Sequence, residues 1–292
     1  YYGVFSMGKV GIEKYYESEL LGIPGAQNVE TDVHGRILRT LDRKDPARGK
    51  TLSLYLDVKM QQAAVAALDG RRGAVVAIDV ATGGVVTAVS NPSFDPNLFV
   101  TGINNNDYKA LRDSPDLPLL NRMIAGEYPP GSTIKPLIAL AGLENGTVTA
   151  DYQIYDPGVF QLPGQTHKFR DWKRGGHGGG INVYMAIAQS CDIYFYQLAN
   201  RLGIDKLHDF LDPFGLGKPT GVDLSGERKG VLPSREWKMR RFKQPWYPGD
   251  TINAGIGQGY HLSTPMQLAA ATATLARRGI RIQPHLVKAI DG

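Results

Sequence analysis

The chain has 292 residues, 42% of them hydrophobic and 21% charged, a globular balance that excludes a disordered or collagen-like polymer and has length for one large domain or two modest ones. Its 33 Lys and Arg exceed 28 Asp and Glu by five charges, but they are scattered among the acids, so no nucleic acid is expected as a partner. A single cysteine, Cys191, excludes an internal disulfide and any finger built on two thiolates, and 35 Gly with 18 Pro call for a fold rich in turns.

Residues 1–50 are polar and irregular, with a helix expected over 9–21 and a strand over 34–41 (HGRILRTL). A boundary is expected near residue 50, where TLSLYLD alternates Leu52, Leu54 and Leu56 as a strand does. The Ala-rich run 58–70, ending in glycine at the C′ position, predicts a helix. Over 73–97 two β-branched runs flank Ala81-Thr82-Gly83-Gly84, a hairpin signal. After Pro129-Pro130-Gly131, the apolar Ile134, Leu137, Ile138 and Ala141 recur at three and four residues and Gly146 closes the pattern, so a buried helix starts near Ser132. Residues 151–181 read as loop, 183–203 and 203–215 as two helices, 213–260 as turns, and 264–279 as an Ala-rich helix with Arg277 and Arg278 at its negative end. The basic stretch from Lys238 to Lys243, between Trp237 and Trp246, reads as a solvated face, with an anionic surface as the other reading. No run of 18 apolar residues occurs, so no membrane-spanning helix is expected. The chain starts at Tyr1 without a signal-like region and reads as part of something longer. The order of strands and helices points to a mixed α/β layer fold.

Ser132 and Lys135 stand one turn apart at the start of the buried helix, so the amine can approach the hydroxyl. A serine becomes a nucleophile when a neighbouring base takes its proton, and a lysine is that base when burial and the helix dipole disfavour its ammonium form. The spacing alone is weak, since Ser6-Met7-Gly8-Lys9 repeats it with no buried helix behind it, and an N-cap serine is the plain alternative. Ser190-Cys191-Asp192 interrupts an apolar helical pattern. It offers a hydroxyl and a carboxylate to relay and orient the proton, or else marks a helix–loop junction capped by Asp192.

Together, YPPGSTIKP, the Ser-x-Asp triplet 58 residues later, NPSFDPN upstream and GIGQGYHLSTPMQLAAA downstream resemble a class B penicillin-binding protein, and RDWKRGGHG with REWKMRRFKQPWYPGDT resembles its elongation, rod-shape type. The resemblance runs from GKVGIEKYYE to the end. It implies the penicillin-recognising transpeptidase and β-lactamase-like fold: an antiparallel sheet flanked by helices, with a helical subdomain. Residues 1–50 would be the remnant of an N-terminal pedestal or dimerisation domain, and 51–292 a transpeptidase domain without its C-terminal part. The implied activity is peptidoglycan D,D-transpeptidation on stem peptides, with no cofactor in the chemistry and with β-lactam antibiotics acylating the same serine. Ser132 would be the nucleophile, Lys135 its base, Ser190 the relay to the leaving group and Asp192 a partner of Lys135 or of substrate. The Ser132 N–H would supply one oxyanion donor. The implied location is the periplasmic face of the bacterial inner membrane, in a full-length protein that is membrane-anchored. The implied partners are a lipid-linked precursor polymerase and a periplasmic elongation scaffold.

Two departures stand out. Asp192 puts a full negative charge beside Lys135, which would raise the affinity of that amine for its proton. The third family motif, Lys-Ser/Thr-Gly, is only approximated by Gly217-Lys218-Pro219-Thr220-Gly221. The resemblance places the motif itself beyond Gly292, so little transpeptidation is expected of these residues alone. Asp156, Asp171, His177 and Cys191 are ligand types suited to a closed tetrahedral structural zinc site. Elongation-type relatives can carry zinc in this neighbourhood. The alternative is a buried thiol and a loop imidazole with separate partners. Rival activities on the same fold are a β-lactam hydrolase or sensor, a D,D-carboxypeptidase, and a scaffold that binds cell-wall assembly proteins.

Overall fold

A computed structural model of the chain describes residues 7–100 and 102–291. Ser6 of the second Ser-x-x-Lys match lies outside the described residues. The fold is mixed α/β, with five two-stranded antiparallel ladders set among helices in the described residues.

The helix expected over 9–21 is two short ones, Gly11–Tyr15 and Glu17–Leu20. Tyr16 leaves helical geometry between them, and its phenol donates to Asp223 Oδ2 at 2.9 Å. The strand expected over 34–41 runs Ile37–Lys44, because Asp32 Oδ1 accepts from the His34 and Arg36 amides and folds those residues into a turn. It pairs with Ala26–Thr31, which shows only Val29 half-buried and so carries little alternation in sequence. Thr51–Leu54 pairs with Val287–Asp291, closing the early chain onto the late chain.

Asp57 caps the helix Val58–Leu68 by accepting from the Met60 amide, and the left-handed exit begins at Asp69, one residue before the expected glycine. The hairpin forms as Gly73–Ile78 against Val85–Asn91, with Gly83 at φ 87° in its turn. The loop expected over 151–181 holds four short strands in two ladders, Ile154–Asp156 with Gly178–Ile181 and Val159–Gln161 with Lys168–Arg170. At three or four residues each, they are too short to show a period.

One continuous helix over 183–203 does not form. Val183–Ala188 ends before Ser190, which sits at φ 55°, and a second helix Asp192–Leu211 starts behind Cys191. That helix continues through 203–211 with a kink at Gly203 (φ 76°), where the expected boundary lay. The turn-rich 213–260 contains Arg235–Phe242 and Pro248–Ala254. Ser234 caps the first by accepting from the Trp237 amide. Lys238 is not on a solvated face: at 1% exposed, its ammonium lies 2.5 Å from Asp250 Oδ2 and 4.3 Å from the centre of the Tyr247 ring. Thr264 and Gln267 form a capping box at the start of Pro265–Ala276.

The main core gathers around Lys135–Glu144 and Asp192–Leu211, with Ile134, Ile138, Phe195, Leu198 and Ile252 buried together. A smaller core under the hairpin joins Val85, Met123, Met266 and Leu286, with Ile12 from the N-terminal segment packed against it.

Candidate active site

The Ser132 hydroxyl stands on a one-turn 3-10 helix, Gly131–Ile134, that runs directly into the buried helix Lys135–Glu144. The α-helix therefore starts three residues later than the sequence pattern placed it. Gly131 sits at φ 57°, and its amide donates to Gly257 O at 2.9 Å. A side chain at Gly257 would put its Cβ 2.4 Å from Gly131 O, so the turn at 254–257 presses on the serine turn and fixes it. Ile134 then buries its side chain in the core, which leaves Ser132 facing solvent and Lys135 facing inward.

The Lys135 ammonium, 1% exposed, has three hydrogen-bond partners: Ser190 O at 2.9 Å, Ser190 Oγ at 3.1 Å and Asp192 Oδ1 at 2.6 Å. It also lies 5.2 Å from the centre of the Phe195 ring. Ser190 Oγ is 2.9 Å from Ser132 Oγ. The two hydroxyls and the amine form a row with Ser190 in the middle, so the amine is joined to Ser132 through Ser190. The positive φ of Ser190 makes this possible: the break between two helices turns both its carbonyl and its hydroxyl onto one ammonium. The triplet is thus a helix–loop junction, as its plainer reading had it, and the junction brings the hydroxyl to Ser132.

Asp192 is held from the other side. Its Oδ2 accepts from the Trp172 amide at 3.1 Å, and Asp171 Oδ2 accepts from the Asp192 and Ile193 amides at 2.8 and 3.3 Å. Asp171 therefore caps the helix Asp192–Leu211 from a distant loop, a role that sequence spacing gives no sign of. Trp172 is 66% exposed, and its indole N–H donates to Gln189 O at 3.1 Å.

Behind the triplet, Asp156, Asp171, His177 and Cys191 each bring one ligand-type atom within 4.8 Å of the others. His177 Nδ1 is 2.7 Å from Asp156 Oδ2, Cys191 Sγ is 3.3 Å from the same oxygen, and His177 Nε2 is buried without a partner. Burial pushes the Cys191 thiol up to about 12, with the charge of Asp156 adding to it. Burial works against the charge of Asp156, but bonds from the Gly158 amide and His177 hold that carboxyl below the ordinary range.

The approximate third motif is elsewhere. Lys218 pairs with Asp212 at 2.6 Å, and Thr220 spends its amide and hydroxyl on Glu227 Oε1. Residues 217–221 form no strand, since Pro219 cannot donate to a ladder, and their carbonyls at Lys218 and Gly221 accept from the side chains of Gln267 and Gln283.

Residues 73–292 match the penicillin-binding protein transpeptidase domain, and residues 1–54 match the penicillin-binding protein dimerisation domain. The chain belongs to the penicillin-binding protein transpeptidase family. It is 53% identical to the peptidoglycan D,D-transpeptidase MrdA of Acinetobacter baumannii over 292 residues, covering 100% of this chain and 43% of that protein. To MrdA of Escherichia coli it is 48% identical, covering 98% of this chain and 45% of that one. A crystal structure of Pseudomonas aeruginosa PBP2 in complex with WCK 5153 superposes with a TM-score of 0.87 at 51% identity, over 98% of this chain and 60% of that chain. PBP2 from Helicobacter pylori, in a complex with MreC, gives 0.87 at 38% identity over 98% and 53%. The chain spans less than half the length of the curated relatives it matches.

Proposed function

We propose that the chain is part of an elongation-type peptidoglycan D,D-transpeptidase, with residues 1–50 from its pedestal and 51–292 from its transpeptidase domain. The observation that carries this reading is the row Ser132 Oγ, Ser190 Oγ and Lys135 Nζ, with steps of 2.9 and 3.1 Å.

In this reading the Lys135 amine draws the Ser132 proton through the Ser190 hydroxyl. Ser132 Oγ then bonds to the carbonyl carbon of a D-Ala-D-Ala donor stem peptide. The Ser132 N–H, in the first turn, faces the developing oxyanion. The C–N bond breaks as the relayed proton returns to the leaving D-Ala amine through Ser190. An acceptor amine then attacks the acyl-enzyme, losing its proton along the same row, and Ser132 Oγ is released. Asp192 fixes the amine at 2.6 Å and balances its charge in the protonated stages. β-Lactams enter the same path, with ring opening in place of departure of D-Ala. No cofactor takes part.

The four-residue cluster fits structural zinc. Two carboxylates, an imidazole and a thiol are all ligand types that zinc takes, and one atom from each lies within 4.8 Å of the others. Asp156, Asp171, His177 and Cys191 would hold it, and its contribution would be to order the 156–191 segment beside the serine. In this reading the full protein works at the periplasmic face of the inner membrane, with a precursor polymerase and a periplasmic scaffold as partners. The H. pylori PBP2–MreC complex and a peptidoglycan synthase complex that coordinates polymerisation and crosslinking, matched at a TM-score of 0.84, support the choice of partners.

The test is intact-mass spectrometry on the complete protein that carries this chain, after incubation with a penicillin. One persistent adduct, lost in Ser132→Ala, is expected, and the native mass should carry one zinc. A protein that gains no adduct, or a Ser132→Ala variant that still gains one, overturns the assignment. Rapid loss of the adduct would favour a hydrolase.

A further inference from the structure

Around the serine the acids are spent internally, while the cations are left open. Lys168–Arg170 buries Phe169 and presents Lys168 and Arg170 to solvent, and the turn after it exposes Lys173 and Arg174. Asp171, between them, faces inward, accepting from the amides of Lys173, Asp192 and Ile193. Asp192 is taken by Lys135 and the Trp172 amide, Asp156 by Gly158, His177 and Cys191, and Asp250 by Lys238 and the Tyr247 amide. Lys168, Arg170, Lys173 and Arg174 enter no ion pair among the described residues, whereas Arg235 and Lys218 each have one.

This open charge is tied to the catalytic row. The Trp172 amide bonds Asp192, whose other oxygen is 2.6 Å from Lys135 Nζ, and the Trp172 indole bonds the carbonyl of Gln189, next to Ser190. Lys173 and Arg174 are the next two residues, so these cations stand on a segment whose backbone is bonded to the row. Exposed, unpaired cations near a cleft attract anions over about one Debye length, ~10 Å at 0.1 M salt, and guanidinium groups favour carboxylates, which they bind with two parallel hydrogen bonds.

We propose that Arg170, Lys173 and Arg174 form a docking surface for an anionic peptide: the stem peptide, held through its free carboxylates while its carbonyl reaches Ser132. This assignment of a substrate contact rests on the transpeptidase reading. It also separates two basic regions that look alike in sequence. Arg240, Arg241 and Lys243 are equally exposed and unpaired, but among the described residues no hydrogen bond joins them to Asp192 or to the carbonyl before Ser190, as the Trp172 bonds join the first group.

The test measures binding of soluble, uncross-linked glycan–peptide strands to the complete protein at low salt. Strands whose carboxylates have been converted to methyl esters, and heparin, serve as comparison ligands. R170Q/K173Q/R174Q should lose about tenfold in affinity, the sum expected of three exposed ion pairs. R240Q/R241Q/K243Q, with the same change in net charge, should stay within about twofold. Esterified strands should bind the unaltered protein as weakly as the first variant binds normal strands. R170K/R174K, which keeps the charge, should retain most of the affinity. Equal losses in the two triple variants, undiminished binding of esterified strands, or heparin binding as tight as that of the strands would overturn the proposal. Penicillin labelling of Ser132, carried to completion, should still reach one adduct in every variant, since Ser132, Ser190 and Lys135 are untouched. Its absence from the unaltered protein would strike the transpeptidase reading and leave the docking result standing. If the triple variant alone loses labelling, Arg174→Gln replaces it, with a loss of about twofold expected and unchanged binding overturning the proposal.

Discussion

Residues 7–50 and the helix Asp192–Leu211 are built to opposite plans. In the first, no described residue is buried, and Val33 in the turn and Ile37, Leu38 and Leu41 on the strand after it lie open. In the second, buried residues run from Asp192 to Leu211; Asp192 is held by Lys135 and the Trp172 amide, while the Tyr194 hydroxyl is buried with no partner among the described residues. The first region is positioned by a few attachments, Ile12 in the smaller core and Tyr16 on Asp223. The second is positioned by packing. The row of Ser132, Ser190 and Lys135 sits at the edge of that packed core, with Ile134 and Phe195 buried beside it, and that is how three side chains from two segments stay within hydrogen-bond reach.

The sharpest break of that contrast is Phe195→Ala. Phe195 is fully buried beneath the Lys135 ammonium, and truncation should cost about 3–5 kcal/mol by chemical denaturation. Penicillin labelling should slow with it, since the amine loses its floor.

Next comes a pH effect confined to the packed region. His261 is buried among Ile204, Leu207, Leu232 and Ala254, and burial lowers its pKa to about 4. The folded state holds it neutral while the unfolded chain takes up a proton near pH ~6.5. Its contribution is therefore complete above that pH and is lost as pH falls toward 4, amounting to on the order of 3 kcal/mol. Denaturation curves collected over this range should show the decline, and His261→Leu should flatten it. An unchanged slope in the variant would reject the attribution.

The smallest effect belongs to the attached region. Tyr16→Phe removes a phenol that donates to a buried carboxylate, which also accepts from the Leu286 and Val287 amides. A loss of about 1–2 kcal/mol is expected, read as faster amide exchange over 11–20 with the helix Asp192–Leu211 unaffected. Burial, and then Asp223, raise the Tyr16 pKa well above its usual value. This contribution is present below pH ~10 and fades as pH rises past it. Uniform exchange changes across both regions would show the attachment to be part of the main core.

The same contrast governs what could be read in advance. The helix behind Ser132 and the hairpin over 73–91 announced themselves through periodic apolar residues and turn glycines, because local pattern and burial agree there. Ser132, Lys135, Ser190 and Asp192 were legible as two motifs, and the structure brings all four side chains together. Neither motif showed that Ser190 would stand between Ser132 and Lys135. That arrangement depends on the positive φ of Ser190 and the split helix, which a run of helix-compatible residues conceals. The short strands over 151–181 and the helices Arg235–Phe242 and Pro248–Ala254 were hidden for a related reason. They are fixed by single side-chain bonds, such as Ser234 to the Trp237 amide, and by contacts with distant segments, such as Gly249 near Phe169. The role of Asp171 as a cap for a helix 21 residues away is of the same kind.

One carboxylate therefore belongs to two neighbourhoods. Asp171 closes the buried cluster with one oxygen, 3.6 Å from His177 Nδ1, and holds the start of the Asp192 helix with the other. Changes on either side of it are energetically coupled, and substitutions at His177 and at Lys135 should not combine additively even though neither residue touches the other. A substitution in the cluster should therefore be felt at Lys135 as a shift in how firmly Asp192 holds it, so the buried cluster acts as a distant brace for the serine–lysine row.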